Sequence, residues 1–365
     1  MASITDPVTI DELEKYASNH LDKNAFDYYS TGAENDVTLR ENRLAFNRIK
    51  LRPRMLRDVS HQDISVTVLG HKLNMPICVS PSAFQAMAHP DGELATVKAV
   101  SSLGTAMVLS LYSTTSLEDV ALEAPNTIKF FQMQLYTDRQ LMVTIIKRAE
   151  KARYKAILLT VDCPLYGRHQ GRRRFELPGH LKYANFSSVQ QSKQFKSNAE
   201  LGAHIIALLD CSVDWTILDW LRSITSLPVV VKGILTPEDA QLAVQHGANG
   251  ILVSNHGGRQ LDGVPAAIEV LPEIVNAVRG TGVEVYMDSG VRLGTDVLKA
   301  LALGARAVFV GRPAIWGLAY KGEQGVKAVL QTLRDEFKTA MVLAGCASLK
   351  DITSSLVMRP ATSHL

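Results

Sequence analysis

Val253-Ser254-Asn255-His256-Gly257-Gly258-Arg259-Gln260 follows directly on the apolar run Gly250-Ile251-Leu252-Val253. That run is short, β-branched and opened by glycine, the pattern of a strand buried on both faces in a parallel sheet. In a barrel of parallel strands the residues just past a strand's carboxyl end face the active site, so this reading delivers His256 and Arg259 to one place. An imidazole able to take a proton then stands three residues from a guanidinium suited to gripping a carboxylate. Taken alone, the octapeptide also reads as a surface turn with a solvated Arg; the rest of the chain bears on the choice.

Outward from this stretch, strand-like apolar runs alternate with amphipathic helical spacing. The strands are read at 75–81, 106–110, 129–134, 156–162, 228–233, 250–255, 283–290 and 307–311, and intervening helices at 93–103, 138–152, 237–245, 266–279 and 294–303. Eight strands with crossover helices are what a (β/α)8 TIM barrel of the α/β class requires. A doubly wound dinucleotide fold is disfavoured, because no G-x-G-x-x-G follows the first strand. Before the barrel, Thr9-x-x-Glu12 ahead of Leu13, Tyr16 and Ala17 is a capping-box start, and helical spacing then runs towards Phe26, Tyr28 and Tyr29, so 1–51 reads as a helical extension. The barrel spans 75–312, and 313–365 forms C-terminal helices and a tail, all within one domain of 1–365. The long gap after strand 4, from Tyr166 to about Ile205, is rich in Gly, Pro, Ser, Gln, Lys and Arg and reads as a mobile loop, either a lid or a floppy insertion.

The composition, 46% hydrophobic and 21% charged over 365 residues, suits a soluble protein with a sizeable core. A formal charge of +3 argues for neither nucleic acid nor membrane as a partner, and no run of 18 apolar residues occurs. The basic run Arg172-Arg173-Arg174 is local. Cys78, Cys163, Cys211 and Cys346 are scattered without a C-x-x-C pair, which points away from disulfides and metal sites and towards a reducing compartment. The first residues lack the apolar core of a signal peptide. Ser363-His364-Leu365 keeps the small-basic-Leu chemistry of the S-K-L peroxisomal address.

Chemistry collects at the strand ends. Pro81, Ser82 and Ala83 follow the first strand, Ser110 ends the second, Gln132 lies in the third, and Thr160 and Asp162 close the fourth. Lys232 ends the fifth and Ser254 the sixth; Asp288, Ser289, Gly290, Val291 and Arg292 follow the seventh, and Gly311 and Arg312 the eighth. The loops after strands seven and eight commonly hold a phosphate in this barrel, and each here pairs a Gly with an Arg. Lys232 reads either as a Schiff-base nucleophile or as a fixed charge beside a cofactor. Gln132, Ser110 and Thr160 offer hydrogen bonds that an isoalloxazine would use, though composition alone does not select flavin over another phosphate-bearing ligand.

Several of these segments carry a family likeness. Asp27-Tyr28-Tyr29-x-x-Gly32-Ala33, Leu51-Arg52-Pro53-Arg54, Ser80-Pro81-Ser82-Ala83, His89-Pro90-Asp91-Gly92-Glu93, Thr160-Val161-Asp162, Ser254 to Gln260 and Gly311-Arg312-Pro313 occur in order from about Thr9 to Leu349. In this the chain resembles the FMN-dependent 2-hydroxyacid oxidases, the group that includes glycolate oxidase and the peroxisomal hydroxyacid oxidases of animals. The resemblance implies oxidation of an (S)-2-hydroxy acid to the 2-oxo acid with FMN and O2, releasing H2O2, in a homotetramer addressed to the peroxisomal import receptor by its C-terminal tripeptide. By the same resemblance His256 is the base and Asp162 steadies its protonated form; Arg259 and Tyr28 bind the substrate carboxylate; Lys232 stabilises negative charge at the flavin N1 and O2. Pro81, Ser82, Ala83, Ser110, Gln132, Thr160, Lys232 and Ser254 line the isoalloxazine and ribityl chain, and Asp288 to Arg292 with Gly311 and Arg312 hold ribityl and phosphate. No metal is implied.

The departures from the family pattern fall on the substrate side. Gln134 stands where Tyr is usual, and His169 stands where a second carboxylate-binding Arg is usual, in a segment about two residues short. Tyr112 replaces a Trp common in glycolate oxidases and Phe84 a frequent Met, both of which resemble the long-chain oxidases. Gln134 and His169 therefore join the substrate-binding candidates. Two competing readings follow: a phosphate-ligand barrel of other chemistry, such as an isomerase, and a diverged member with altered scope or a flavin-binding protein with weak or lost oxidase activity.

Overall fold

The computed structural model describes residues 6–167 and 175–359. Eight parallel strands close into a barrel: β1 (Ile77–Val79), β2 (Ala106–Ser110), β3 (Ile128–Met133), β4 (Ile157–Thr160), β5 (Val229–Ile234), β6 (Gly250–Val253), β7 (Glu284–Met287) and β8 (Ala307–Val310). Each pairs with its sequence neighbours, and Phe309 opposite Cys78 closes the ring. Each strand is shorter than or shifted from its apolar run except β2, because hydrogen-bonded pairing stops where the chain bends into the polar turns.

The pleat sorts the strand residues by twos. Cys78, Val108, Phe130, Leu158, Val230, Leu252, Tyr286 and Phe309, one from each strand, form a cluster separate from the main core and fill the barrel interior. A hairpin, Val66–Val68 with His71–Leu73, places Val68 and Leu73 against the same cluster. The larger core lies outside the strands, beneath the helices.

The extension holds α1 (Ile10–His20), α2 (Lys23–Ser30) and α3 (Val37–Arg48), in place of continuous helical spacing through Tyr29. Thr9 and Glu12 form the capping box read from sequence, and Asp22 caps α2 separately. Crossovers follow as α4 (Gly92–Leu103), α5 (Leu117–Glu123) and α6 (Arg139–Lys151). The stretch expected to be one irregular loop contains, in its described part, α7 (Ser187–Ser192) and α8 (Asn198–Ala207). The remaining helices are α9 (Thr216–Ile224), α10 (Pro237–Gln245), α11 (Ala267–Ala277), α12 (Gly294–Ala302) and α13 (Arg312–Ala344), the last broken at Lys321 and Gly322.

Candidate active site

Two residues beyond the inner core, the same pleat puts Ser80, Ser110, Gln132, Thr160, Lys232, Ser254, Asp288 and Gly311 at the carboxyl end of the barrel. All the side chains of this polar layer are buried, and they satisfy one another. Ser110 Oγ and the Leu111 N–H donate to Gln132 Oε1, and Gln132 Nε2 donates to Thr160 Oγ1 at 3.0 Å. Ser80 Oγ donates to Asp288 Oδ2 at 3.2 Å and Ser289 Oγ to Asp288 Oδ1 at 2.8 Å. One further step of two gives Gln134, Asp162 and His256.

The turn after β6 is fixed at almost every peptide. His256 has φ +59, a left-handed conformation unusual for a non-glycine residue. Its N–H donates to Ser254 Oγ, the Gly257 N–H to Ser289 Oγ, and the Gly258 N–H to Asn255 Oδ1. Gly258, at φ +74, has no room for a side chain: a Cβ would lie 2.6 Å from Leu39 N. Asn255 and Asn42 of α3 exchange amide bonds of 2.8 and 2.7 Å, tying the turn to the extension.

His256 Nδ1 lies 2.9 Å from Asp162 Oδ1 and 3.4 Å from Lys232 Nζ, and Lys232 Nζ lies 3.8 Å from Asp162 Oδ2. The carboxylate holds the Nδ1 proton, which leaves Nε2 as the acceptor; Lys232 then acts on the ring by charge. Burial and the Lys232 ammonium together outweigh Asp162 and lower the His256 pKa from its ordinary 6.5. Burial works against a charged Asp162, but Lys232 and His256 prevail and hold its carboxyl below the usual range. Gly233 allows this approach: it sits in a bulge of β5 at φ +112, and a Cβ there would meet Asp162 Cβ at 2.6 Å.

Arginines gather beside this group. The end of α2 leaves carbonyls without helical partners, and two guanidiniums take them. Arg259 Nη1 donates to Tyr28 O at 2.6 Å and Thr31 O at 3.2 Å, with its guanidinium 4.9 Å from the Tyr28 ring centre. Arg312 donates to the carbonyls of Tyr29, Thr31 and Gly257. Arg292 Nη1 donates to the carbonyl of the preceding Val291, and its buried Nε has no partner. Burial, then Arg259 and Arg292, push the Arg312 pKa down to about 9. Among the described residues, no carboxylate forms an ion pair with Arg292 or Arg312. Buried cations of this kind call for an anion, and the turn glycines Gly290 (φ +95) and Gly311 flank them.

All these groups open onto one cavity of about 370 Å³, within the size range of small-molecule sites. Of the candidates from sequence, Tyr28, Pro81, Ser82, Ala83, Ser110, Gln132, Gln134, Thr160, Lys232, His256, Arg259, Asp288 to Arg292, Gly311 and Arg312 line it. Asp162 and Ser254 stand behind His256, and His169 lies outside the described residues. Sequence reasoning omitted Ser80 as a site residue, which the two-residue step points to, and, of the aromatic wall of Tyr112, Tyr166, Phe175 and Tyr183, it singled out Tyr112 alone; the other three follow β4. Gln134 belongs to that wall: its Oε1 accepts from Tyr112 and Tyr166, at 2.9 and 3.1 Å, and its Nε2 donates to Cys163 Sγ.

Fold and site together give a parallel barrel with a buried polar layer, a cluster of arginines without ion-paired carboxylates among the described residues, and an imidazole backed by a carboxylate. Residues 17–359 match the family described as FMN-dependent dehydrogenase. The chain is 51% identical over 358 residues to 2-hydroxyacid oxidase 1 of Homo sapiens, covering 96% of each chain. It is 51% identical over 349 residues to glycolate oxidase of Spinacia oleracea, covering 95% and 94%. A crystal structure of mandelate oxidase superimposes with a TM-score of 0.86 at 41% identity, over 95% of this chain and 97% of that one. The chain belongs to the FMN-dependent dehydrogenase family. It is an oxidoreductase, and FMN is its cofactor.

The residues present suit that cofactor. The unpartnered Arg292 Nε, and an Arg312 without a counter-charge, are where a phosphate would be neutralised. The donors and acceptors of Ser110, Gln132 and Thr160 are those that a flavin ring reads.

Proposed function

We propose that the protein is an (S)-2-hydroxyacid oxidase, converting a 2-hydroxy acid and O2 to the 2-oxo acid and H2O2. The observation that carries this reading is His256, backed by Asp162 Oδ1 at 2.9 Å and lowered in pKa, on the same turn as Arg259 at the cavity wall. Arg259 and Tyr28 hold the substrate carboxylate, which sets the hydroxyl-bearing carbon towards His256. Nε2 takes the hydroxyl proton, and Asp162 stabilises the imidazolium that forms. When bound, FMN would supply the acceptor for the C2 hydrogen with its electron pair, and that hydride equivalent together with the proton held at His256 would leave with O2 as H2O2. Pro81, Ser82, Ala83, Ser110, Gln132, Thr160 and Ser254 form the ring and ribityl site; Lys232 contributes positive charge beside it. Asp288 to Arg292, Gly311 and Arg312 take ribityl and phosphate.

The test is peroxide release on a 2-hydroxy acid with anaerobic bleaching of the yellow protein. His256→Asn should lower kcat by about 10²- to 10⁴-fold with the yellow colour retained. A wild-type protein that binds FMN and never bleaches would refute the assignment.

A second reading, altered substrate scope, is favoured by Gln134, whose carbonyl is committed to two phenols. With His169 at the position where the family has Arg, loss of that charge-assisted bond, worth roughly 1.5–3 kcal/mol, would weaken a small acid about 10- to 150-fold unless Arg168, Arg172 or a protonated His169 replaces it. Glycolate, 2-hydroxyoctanoate and mandelate compared in wild type and His169→Arg decide it; equal glycolate turnover in the two proteins eliminates drift. The homotetramer rests on the family resemblance and is read by size-exclusion chromatography. Peroxisomal import is supported by Ser363-His364-Leu365, which lies outside the described residues, and is lost on deleting Leu365 if that tripeptide is the address.

A further inference from the structure

Glu93, the second residue of α4, is fully buried and has no part in the chemistry described above. Four uncharged donors meet its carboxylate. The N–H groups of Gln85 and Thr114 reach Oε1 at 3.0 and 2.9 Å, and the hydroxyls of Thr114 and Thr115 reach Oε2 at 2.6 and 3.0 Å. A carboxylate in the first turn of a helix is favoured there by the helix dipole. Its donors come from two different loops, the one after β1 and the one after β2. Thr114 Oγ1 also accepts from the Ala86 N–H at 3.1 Å, so the two loops are stitched twice.

Immediately before these stitches lies Phe84, with φ +55, a conformation that bulky residues rarely adopt. Neighbouring bonds hold it there. Its N–H donates to Tyr112 O at 3.0 Å, the Tyr29 hydroxyl donates to its carbonyl at 2.7 Å, and the next N–H, of Gln85, is the one that Glu93 accepts. The result is a ring on the cavity wall, stacked on Phe175 at 5.6 Å and set edgewise to Tyr183 at 5.3 Å, with Tyr28 and Tyr112 beside it. Tyr28 in turn packs against Phe175, the ring centres 4.3 Å apart and the planes tilted by 34°. The aromatic side of the cavity therefore hangs on a backbone conformation that Phe84 would not choose unaided.

We propose that Glu93 is a positioning residue for substrate selection: it holds Phe84 in its left-handed conformation, and the Phe84 ring forms the wall that receives the substituent on the substrate's C2. The inference rests on the 2-hydroxyacid oxidase reading above. Glu93 touches neither substrate nor FMN; it acts through the two loops. The quantity it controls is the preference for a substituted over an unsubstituted 2-hydroxy acid.

The experiment measures kcat/KM for mandelate and for glycolate in FMN-loaded wild type, Glu93→Ala, Glu93→Gln, Phe84→Ala and the Glu93→Ala/Phe84→Ala double variant. Loss of one aromatic contact predicts that Glu93→Ala and Phe84→Ala each lower the mandelate-to-glycolate ratio about tenfold, mainly through KM. Glu93→Gln, which still accepts both N–H groups, stays within about threefold of wild type, and the double variant falls no further than about twofold below Phe84→Ala. Independent of turnover, Phe84→Gly should melt at or above Phe84→Ala, because glycine accepts the left-handed conformation without strain. If Glu93→Ala does not retain FMN, Thr114→Val, which removes the hydroxyl shared by Glu93 and Ala86, should shift the ratio the same way by about threefold. Additive losses in the double variant, equal losses on both substrates, or an unchanged ratio in every FMN-bound variant would overturn the proposal. A wild type inactive on both acids would instead overturn the oxidase reading.

Discussion

His256 receives two opposed charges at one ring nitrogen, and the balance between them sets the pH behaviour. With burial and Lys232 outweighing Asp162, the imidazole titrates below 6.5 and is neutral at physiological pH, the form a base requires. Activity limited by this group is full above 6.5 and falls as pH drops through the lowered folded value. The stability effect has the same sign: below 6.5 the unfolded imidazole takes a proton that the folded one resists, so His256 destabilises the fold increasingly as pH falls. Asp162, whose folded pKa is also depressed, adds stability that is complete above the ordinary carboxyl range and disappears as pH falls through its folded value. Lys232→Met removes the opposing ammonium, so the acid limb of the kcat/KM profile should move to higher pH, whatever the fall in kcat. A limb that stays in place, or moves down, would show that Lys232 does not set the His256 titration. Most of the residues in this group were legible in the sequence because side chains alternate along a strand: given an inner-core residue, the polar layer lies two positions on. Tyr166 and Phe175 were not, because they follow the strand end and no periodicity places them.

Among the elements, the extension does more than cover the barrel. Asn42 on α3 and Asn255 after β6 satisfy each other's amides across 213 positions of sequence, and Asn255 also donates to Pro265 O at 3.1 Å. Both side chains are buried, so truncating one leaves the other's donor and acceptor unmet. Asn42→Ala is expected to cost about 1–3 kcal/mol, read as a lower denaturant midpoint with an unchanged slope. Because the turn carries His256, kcat should fall as well, whereas a remote surface change of equal destabilisation would leave kcat alone. The sequence offered the capping box that starts α1, though not the break at its end, and the bounds of β2 and α10 as they stand. Its main misreading was the stretch after β4, taken as irregular because its composition is polar. Yet Ser197 and Glu200 are spaced as a helix start, and Ser197 Oγ accepts from the Glu200 N–H at 3.2 Å, a signal that was present and went unused. Ser116 and Asp119 mark α5 in the same way. By contrast α9 has no side-chain cap, and only its pattern of buried residues, Ile217, Leu218 and Leu221, betrays it.

At the scale of the whole molecule, the barrel is closed and filled beneath the polar layer, and its cavity gathers Arg292 and Arg312, neither of which is ion-paired among the described residues. Arg292 and Arg312 differ in how much they also do for the protein alone. Arg312 satisfies three carbonyls from two elements, whereas the Arg292 guanidinium donates only to the neighbouring Val291 carbonyl and keeps an unpartnered Nε. Replacing Arg312 therefore removes structure along with charge, but Arg292→Met removes a desolvated cation that Glu14, Asp11 and Asp296 favour by charge without an ion pair. FMN-free Arg292→Met should be at least as stable as FMN-free wild type, while its FMN affinity falls about 10- to 150-fold with the loss of a charge-assisted bond. Adding FMN at 100 times the wild-type Kd stabilises wild type by about 2.7 kcal/mol, and the variant by far less at the same concentration. Inorganic phosphate should likewise raise the thermal midpoint of FMN-free wild type more than chloride at equal ionic strength, and should do so less for the variant. Should the FMN-free variant melt well below wild type, or hold FMN within threefold of it, Arg292 is a structural residue and the phosphate lies elsewhere in the cavity.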